Sequence, residues 1–302
     1  MHSSIPFILQ IVSQTNIDYL RIILVFAVSL MYAIFDVFNK RNIPNMIAYI
    51  GIAFSLVFCI LANGPYIAFA MLIALLVGAI SYLLYKGGQL GAGDGFEFIT
   101  LVLLMPVQSL PLLTTTSQLG LPFIFSIFVA TGFATAFAIP TYYLTKLKLD
   151  GDKLSLSHVD ANTWKKATIM LVAYAALVIT LAYSPLGIRL LPYAFIMLIG
   201  ILSALIIIYE KKVNTLMVSW VYPKELDDGD ILALNLVSKK DKAYFIKRVK
   251  NFSKLATPPM INNMKSIRKK LPVYKKAVPF ALLTFIGVAL SLLFGNLLFF
   301  IL

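Results

Sequence analysis

Cysteine is nearly missing from the 302 residues. Cys59 stands alone inside an apolar run, which excludes an intramolecular disulfide and a thiolate metal cluster and leaves the redox compartment unread. Histidine is almost as scarce, and His2 and His158 are not spaced as metal ligands. No glycine-rich phosphate loop with Lys and Ser or Thr occurs, and Cys59 has no nearby His to activate it. Charge is sparse too, at 13% of residues, and leans to one sign, with 26 Lys and Arg against 13 Asp and Glu. Residues 1 to 16 carry no basic stretch followed by a small-residue cleavage site, so no removable signal peptide is expected and the first span should stay in the mature chain.

Apolar residues are what the chain has in quantity. They make up 60% of it and give a mean hydropathy of +0.88, far outside the range of an ordinary soluble domain. They gather in eight runs, at about 18 to 38, 43 to 62, 66 to 85, 95 to 113, 121 to 144, 167 to 184, 190 to 209 and 278 to 302. Each is close to the roughly 20 residues with which a helix crosses a hydrocarbon core about 30 Å thick. Alternating ten-residue strands of a barrel are not seen. The turns between runs fall where the chemistry favours them, at Asn63-Gly64-Pro65, Thr114 to Gly120 and Ser184-Pro185-Leu186-Gly187. Pro106 and Pro111 read as kinks or an early end of the fourth helix. The expected fold is an all-α polytopic membrane protein with about eight transmembrane helices and a small cytoplasmic module before the last.

Placing the loop after the first helix in the cytoplasm puts every Lys and Arg except Arg21 and Arg189 on the inner side, as the positive-inside rule requires. Both termini then face outward. The net charge of +13 is accounted for by this topology and by attraction to anionic inner-leaflet lipids, with no nucleic acid partner. Residues 210 to 276 form the only stretch large enough for a soluble module. Its first half, Val213 to Val237, holds β-prone pieces at Leu216 to Tyr222 and Ile231 to Leu234 around the acidic surface turn Asp227-Asp228-Gly229-Asp230. In its second half Tyr244, Phe245, Val249, Phe252 and Leu255 recur at helical spacing opposite Lys242, Lys247, Arg248, Lys250 and Lys254, predicting a basic amphipathic helix on the inner membrane surface. No internal repeat and no low-complexity linker is present.

A carboxylate at the centre of a membrane helix costs roughly 2.5 to 3.5 kcal/mol on insertion scales, so each one in a span calls for a reason. Three lie in or at the inner ends of spans: Asp36, Asp94 and Glu97. Asp36 has Lys40 at i+4, but an acid near a helix C-terminus opposes the macrodipole and its apolar flanks remove solvent screening. Asp94 closes Gly91-Ala92-Gly93-Asp94-Gly95, where it also reads as a favourable helix N-cap, and Gly91 and Gly93 permit close approach of backbone to an extended ligand. Glu97, one turn on, reads first as a solvated acid at a helix start and second as a contact for a basic substrate segment. Lys86, Gln89 and the 87 to 93 loop are further candidate substrate contacts of low specificity. The topology sets both aspartates at one level on helices able to pack together. Two facing carboxylates suit peptide hydrolysis without a metal or a nucleophile, one taking a proton from water while the other polarises the carbonyl.

The residues also carry a family resemblance. Gly91-Ala92-Gly93-Asp94 resembles the GxGD motif of membrane aspartyl peptidases. Asp36 followed by Asn39-Lys40-Arg41-Asn42-Ile43-Pro44-Asn45 resembles the first-aspartate segment of type IV prepilin peptidases. The resemblance covers about residues 20 to 145. It implies Asp36 and Asp94 as the catalytic pair, with no metal or organic cofactor. It also implies a plasma-membrane enzyme that removes a short basic leader from pilin-like or archaellin precursors at the cytoplasmic face. The paired-cysteine loop of bacterial members is absent, so the chain is most similar to the archaeal prepilin and preflagellin (archaellin) peptidases. Phe96 stands where many relatives carry Lys. The division expected is a catalytic membrane core at 1–145, additional helices at 146–209, the basic module at 210–276 and a C-terminal helix at 277–302. Presenilin and signal-peptide-peptidase relatives share GxGD but place Tyr-Asp before it and Pro-Ala-Leu late, where this chain has Phe35-Asp36 and Pro279-Phe280-Ala281-Leu282. Readings from other classes are a proton-coupled transporter using the two aspartates, which ordinarily shows repeated halves and midplane charges, and a membrane scaffold, which leaves Asp36 unexplained.

Overall fold

The structure, a computed structural model, describes residues 4–39, 43–63, 67–105, 123–150, 159–183, 190–249 and 252–295. Helix α1 (Ser4–Phe38) has no Gly or Pro after Pro6 and starts well before the apolar run that predicted it. The next helix, α2 (Asn45–Asn63), starts at Pro44, whose carbonyl accepts the amides of Ile47 and Ala48 at 2.9 and 3.2 Å. Helix α3 (Ile67–Lys86) is closed by Gly88, whose φ of 60° no β-branched residue adopts cheaply, while the Gln89 amide returns to the Leu84 carbonyl at 2.9 Å. Further along come α4 (Ala92–Leu104), α5 (Phe123–Leu149), α6 (Ala161–Ala182) and α7 (Leu190–Ile208). The rest comprises α8 (Glu210–Met217), β1 (Ser219–Val221), α9 (Lys239–Arg248), α10 (Pro258–Met264), β2 (Leu271–Val273) and α11 (Phe280–Phe294).

Among the described residues five helices, α1 from Ile17 onward, α2, α3, α5 and α6, are long and apolar enough to cross a membrane. A sixth span forms if α7 and α8 are joined across their 78° bend, and α11 is a shorter apolar helix. All eight apolar runs are thus helical over some or all of their described length, and the chain is an all-α polytopic membrane protein. Lys40-Arg41-Asn42, Gly64-Pro65, Pro106, Pro111, the Thr114 to Gly120 turn, His158, Ser184 to Arg189 and both chain ends lie outside the described residues.

The chain divides into two compact units. The first contains α1 to α4, α5 as far as Gly132, and α11. Here α11 lies along α1, and α4 packs on both α2 and α3 while also touching α1 and α11. Buried Leu101 and Leu104 of α4 join Val25, Cys59, Ile73 and Ile127 in one apolar cluster. Lipid is as apolar as these side chains, so helices associate there through close packing and polar contacts rather than by escape from water. Small residues supply the packing: a Cβ on Gly287 of α11 would meet Thr131 Oγ1 at 2.2 Å, and a Cβ on Gly95 of α4 would meet Ser81 Cβ at 3.0 Å.

The second unit contains the rest of α5, the α6 and α7 pair, and the module. Strands β1 and β2 pair antiparallel with Trp220 opposite Pro272, and Leu232, Phe245, Val249, Met260, Met264 and Leu271 form the module's own core. Two expectations for this region are corrected. The first β-prone piece is helical through Met217, so the strand is confined to Ser219–Val221. Helix α9 also does not turn its predicted apolar stripe outward: Phe245 and Val249 are buried in the module core and Leu255 is buried beyond the helix end, while Lys242, Lys247, Arg248 and Lys254 face out together with Ile246. Helical periodicity marks a buried face without saying whether lipid or protein covers it. The acidic turn is a surface turn as expected, with the Asp227 amide donating to Asp230 Oδ2 at 2.9 Å and Lys275 Nζ 3.3 Å from both carboxylates.

Asp160 caps α6 by accepting the Thr163 amide at 2.7 Å, and Lys211 of α8 lies 3.2 Å from its other oxygen. The Thr163 hydrogen bonds, and then Lys211, hold its carboxyl down at about 2. A folded value below the ordinary carboxylate range means that the stabilisation is complete above that range and is lost as pH falls through about 2. The difference in melting temperature between wild type and Asp160→Asn should therefore be constant at neutral pH and shrink on acidification. Met260→Ala should cost the module about 2–5 kcal/mol, read as hydrogen-exchange protection lost in α10 and β2 but kept in α2 to α4.

Candidate active site

Asp36 lies on the last turn of α1 and is 5% exposed. Its Oδ2 accepts the backbone amide of Ala281, at 3.0 Å, from the first turn of α11. The first amides of a helix have no partner inside the helix, and the positive end of the dipole favours an anion there. The handicap that the sequence assigns to an acid at the end of α1 is thus offset by the start of another helix. Lys40, the partner at i+4, lies outside the described residues.

Asp94 is the third residue of α4, and Gly91 rather than Asp94 is the N-cap. Its Oδ2 accepts the Gly91 amide at 3.1 Å, so it caps the helix from within. It is half-buried, more open than Asp36. The two aspartates lie within reach of one another's charge, and Glu97 is within reach of both.

Glu97 is not a solvated acid. It is fully buried, with Ser29 of α1 donating its hydroxyl to Oε1 at 3.1 Å. Its Oε2 is buried with no hydrogen-bond partner among the described residues. The spacing of three from Asp94 puts it on the same side of α4, and that side meets α1. Tyr32, one turn before Asp36 on α1, is also fully buried; its hydroxyl and Thr100 Oγ1 stand 3.2 and 3.7 Å from where a Cβ on Gly51 would be.

The glycines of the motif serve the chain's own packing. A Cβ at Gly93 would come 2.7 Å from Ile43 Cδ1 and 2.9 Å from Ile43 Cβ, so the space that an extended ligand was expected to use is filled by Ile43. A Cβ at Gly91 would press on Asp94 Oδ2 at 2.9 Å. Phe96 sets its ring edge-on against Tyr49 of α2, centroids 5.6 Å apart, and Lys86 lies over the Tyr82 ring at 5.4 Å. Gln89 belongs to the turn that closes α3. Among the described residues no three His, Cys, Asp or Glu side chains are grouped to hold a metal ion.

Ser29, Tyr32 and Ala281 escape a reading of the sequence. The two hydroxyls offer a weak signal as polar groups in an apolar span, and Ala281 offers none because its contribution is a backbone amide. Gly93→Ala should destabilise the protein by about 1–3 kcal/mol in detergent. Ile43→Ala in the same chain should recover part of that loss, giving a coupling above about 0.5 kcal/mol in a double-mutant cycle of unfolding free energies.

Residues 23–139, which run from α1 into α5 and include both aspartates, match the type IV leader peptidase family. No curated protein and no solved structure matches the chain. The segment that holds Asp36 and Asp94 is thus similar, over residues 23–139, to the type IV leader peptidase family of aspartic-type proteases, which supports the cleavage of leaders from prepilin-type precursors.

Proposed function

We propose that this protein hydrolyses the bond between a short basic leader and the hydrophobic segment of pilin-like or archaellin precursors, with Asp36 and Asp94 as its catalytic pair. The observation that carries the reading is that two carboxylates, one buried on the last turn of α1 and one half-buried in the first turn of α4, come from helices that pack together. A water held between them loses a proton to the ionised carboxylate as its oxygen bonds to the scissile carbonyl carbon. The other carboxyl gives its proton to the carbonyl oxygen. As the gem-diol intermediate collapses, the carbon–nitrogen bond breaks, the first carboxyl gives its proton to the leaving amine, and a hydroxyl proton of the intermediate returns to the other carboxylate. No cofactor enters these steps.

The site works at the cytoplasmic face of the plasma membrane, where positive-inside placement sets the basic loops and the module, with both chain ends outside. The exposed lysines of α9 face anionic inner-leaflet lipid. Cys59 is the sole cysteine, and the absence of the paired-cysteine loop of the bacterial members supports the archaeal branch.

Asp36→Asn and Asp94→Asn should each lower cleavage of a co-expressed precursor, followed by its gel mobility, by about 10²–10⁴-fold or more at wild-type membrane levels. Processing by either variant at the wild-type rate contradicts the paired-aspartate reading. Proton-coupled uptake in vesicles that is lost in the same variants, without any proteolysis in wild type, supports a transporter instead.

A further inference from the structure

We propose that the backbone amide of Ala281 is a positioning donor for the Asp36 carboxylate, which makes the C-terminal helix α11 a working part of the catalytic core. The inference rests on the reading of Asp36 as catalytic. It departs from the sequence-based division, which sets residues 277–302 apart from that core, and from the family match, which ends at residue 139.

The contact spans 245 residues of sequence and is buried on both sides, with Ala281 fully enclosed and Asp36 nearly so. An amide at the second position of a helix has no acceptor within the helix, so burying it requires one from elsewhere. A carboxylate buried among apolar side chains requires a donor in the same way. Each group meets the need of the other, and the hydrogen bond fixes which way Oδ2 points. Catalysis by a carboxylate depends on that orientation, because the proton must pass along a short, aligned path to or from water.

The surroundings keep α11 in register with Asp36. Phe285 packs on Phe26 of α1 with ring centroids 5.0 Å apart, and Phe280 meets Phe98 of α4 at 6.1 Å. Gly287 allows α11 to lie directly against Thr131. The methyl of Ala281 joins Tyr32 and Ile43 in one small apolar cluster, and Ile43 is the residue that presses on Gly93, one position before Asp94. The start of α11 is thereby tied to the turns carrying both aspartates. The late Pro279-Phe280-Ala281-Leu282 segment, which in the sequence is only an imperfect echo of another family's motif, is what supplies the amide.

Ala281→Pro removes this N–H, and proline is tolerated in the first turn of a helix. Leu282→Pro, one residue on, strains the same turn but leaves the Ala281 amide, and Ala281→Gly keeps the amide without the methyl. Each full-length variant is compared with wild type for cleavage of a prepilin-type precursor in membranes, with kcat and KM measured separately at matched amounts of inserted protein. The expected result is a kcat lower by about 10²-fold in Ala281→Pro, with KM within about threefold of wild type. Ala281→Gly, which loses only the methyl, and Leu282→Pro should each fall well short of the Ala281→Pro loss. Equal losses in the two proline variants, or a wild-type kcat in Ala281→Pro, overturn the inference. If Asp36→Asn is inactive while Ala281→Pro is not, only the role of α11 fails. If Asp36→Asn is itself active, the catalytic reading fails beneath it.

Discussion

A carboxylate largely buried among apolar helices needs hydrogen-bond donors from those helices, because lipid supplies none. Much of the first unit follows from that constraint at Asp36. The donor comes from the unpaired first turn of α11, the one part of a helix with amides to spare, so α11 has to run along α1 and begin level with its last turn. The aromatic contacts of Phe280 and Phe285, and the glycine at 287, hold α11 in that register.

Around this contact the unit is assembled as a membrane bundle must be, by close approach and a few internal polar pairs. Helix α4 is the pivot, lying on α2 and α3 and touching α1 and α11, with Gly93 and Gly95 letting it close on Ile43 and Ser81. Its first turn carries Asp94 on a self-capping bond to Gly91, and the next turn sends Glu97 inward to Ser29. Three carboxylates thus share one region in unequal surroundings: Asp94 half-open, Asp36 nearly closed and Glu97 sealed. Unequal surroundings allow chemically identical groups to take different parts in one reaction.

The module in the second unit is held together differently. It has a small apolar core of its own, two short paired strands and a surface turn whose carboxylates are clamped by Lys275. The apolar stripe of α9 is used up inside that core, and the basic residues on its other side remain exposed. The electrostatic part of any attraction of this surface to lipid weakens as salt rises.

Sequence alone determined the membrane class, the approximate place of the apolar helices and the two aspartates that stand out, because the length of an apolar run and the cost of a charge within it are local properties. It also singled out the glycines before Asp94, though not their task, since the side chain that fills the space beside Gly93 is Ile43, fifty residues earlier. Glu97 was misjudged as solvated because helical spacing tells which side of α4 it occupies and not what covers that side. The same limit applied to α9, whose stripe lies against the module rather than lipid. Only the tertiary structure decided that Asp36 is held by α11. The donor is a backbone amide, identical in every residue but proline, and its meaning comes from where a helix happens to begin.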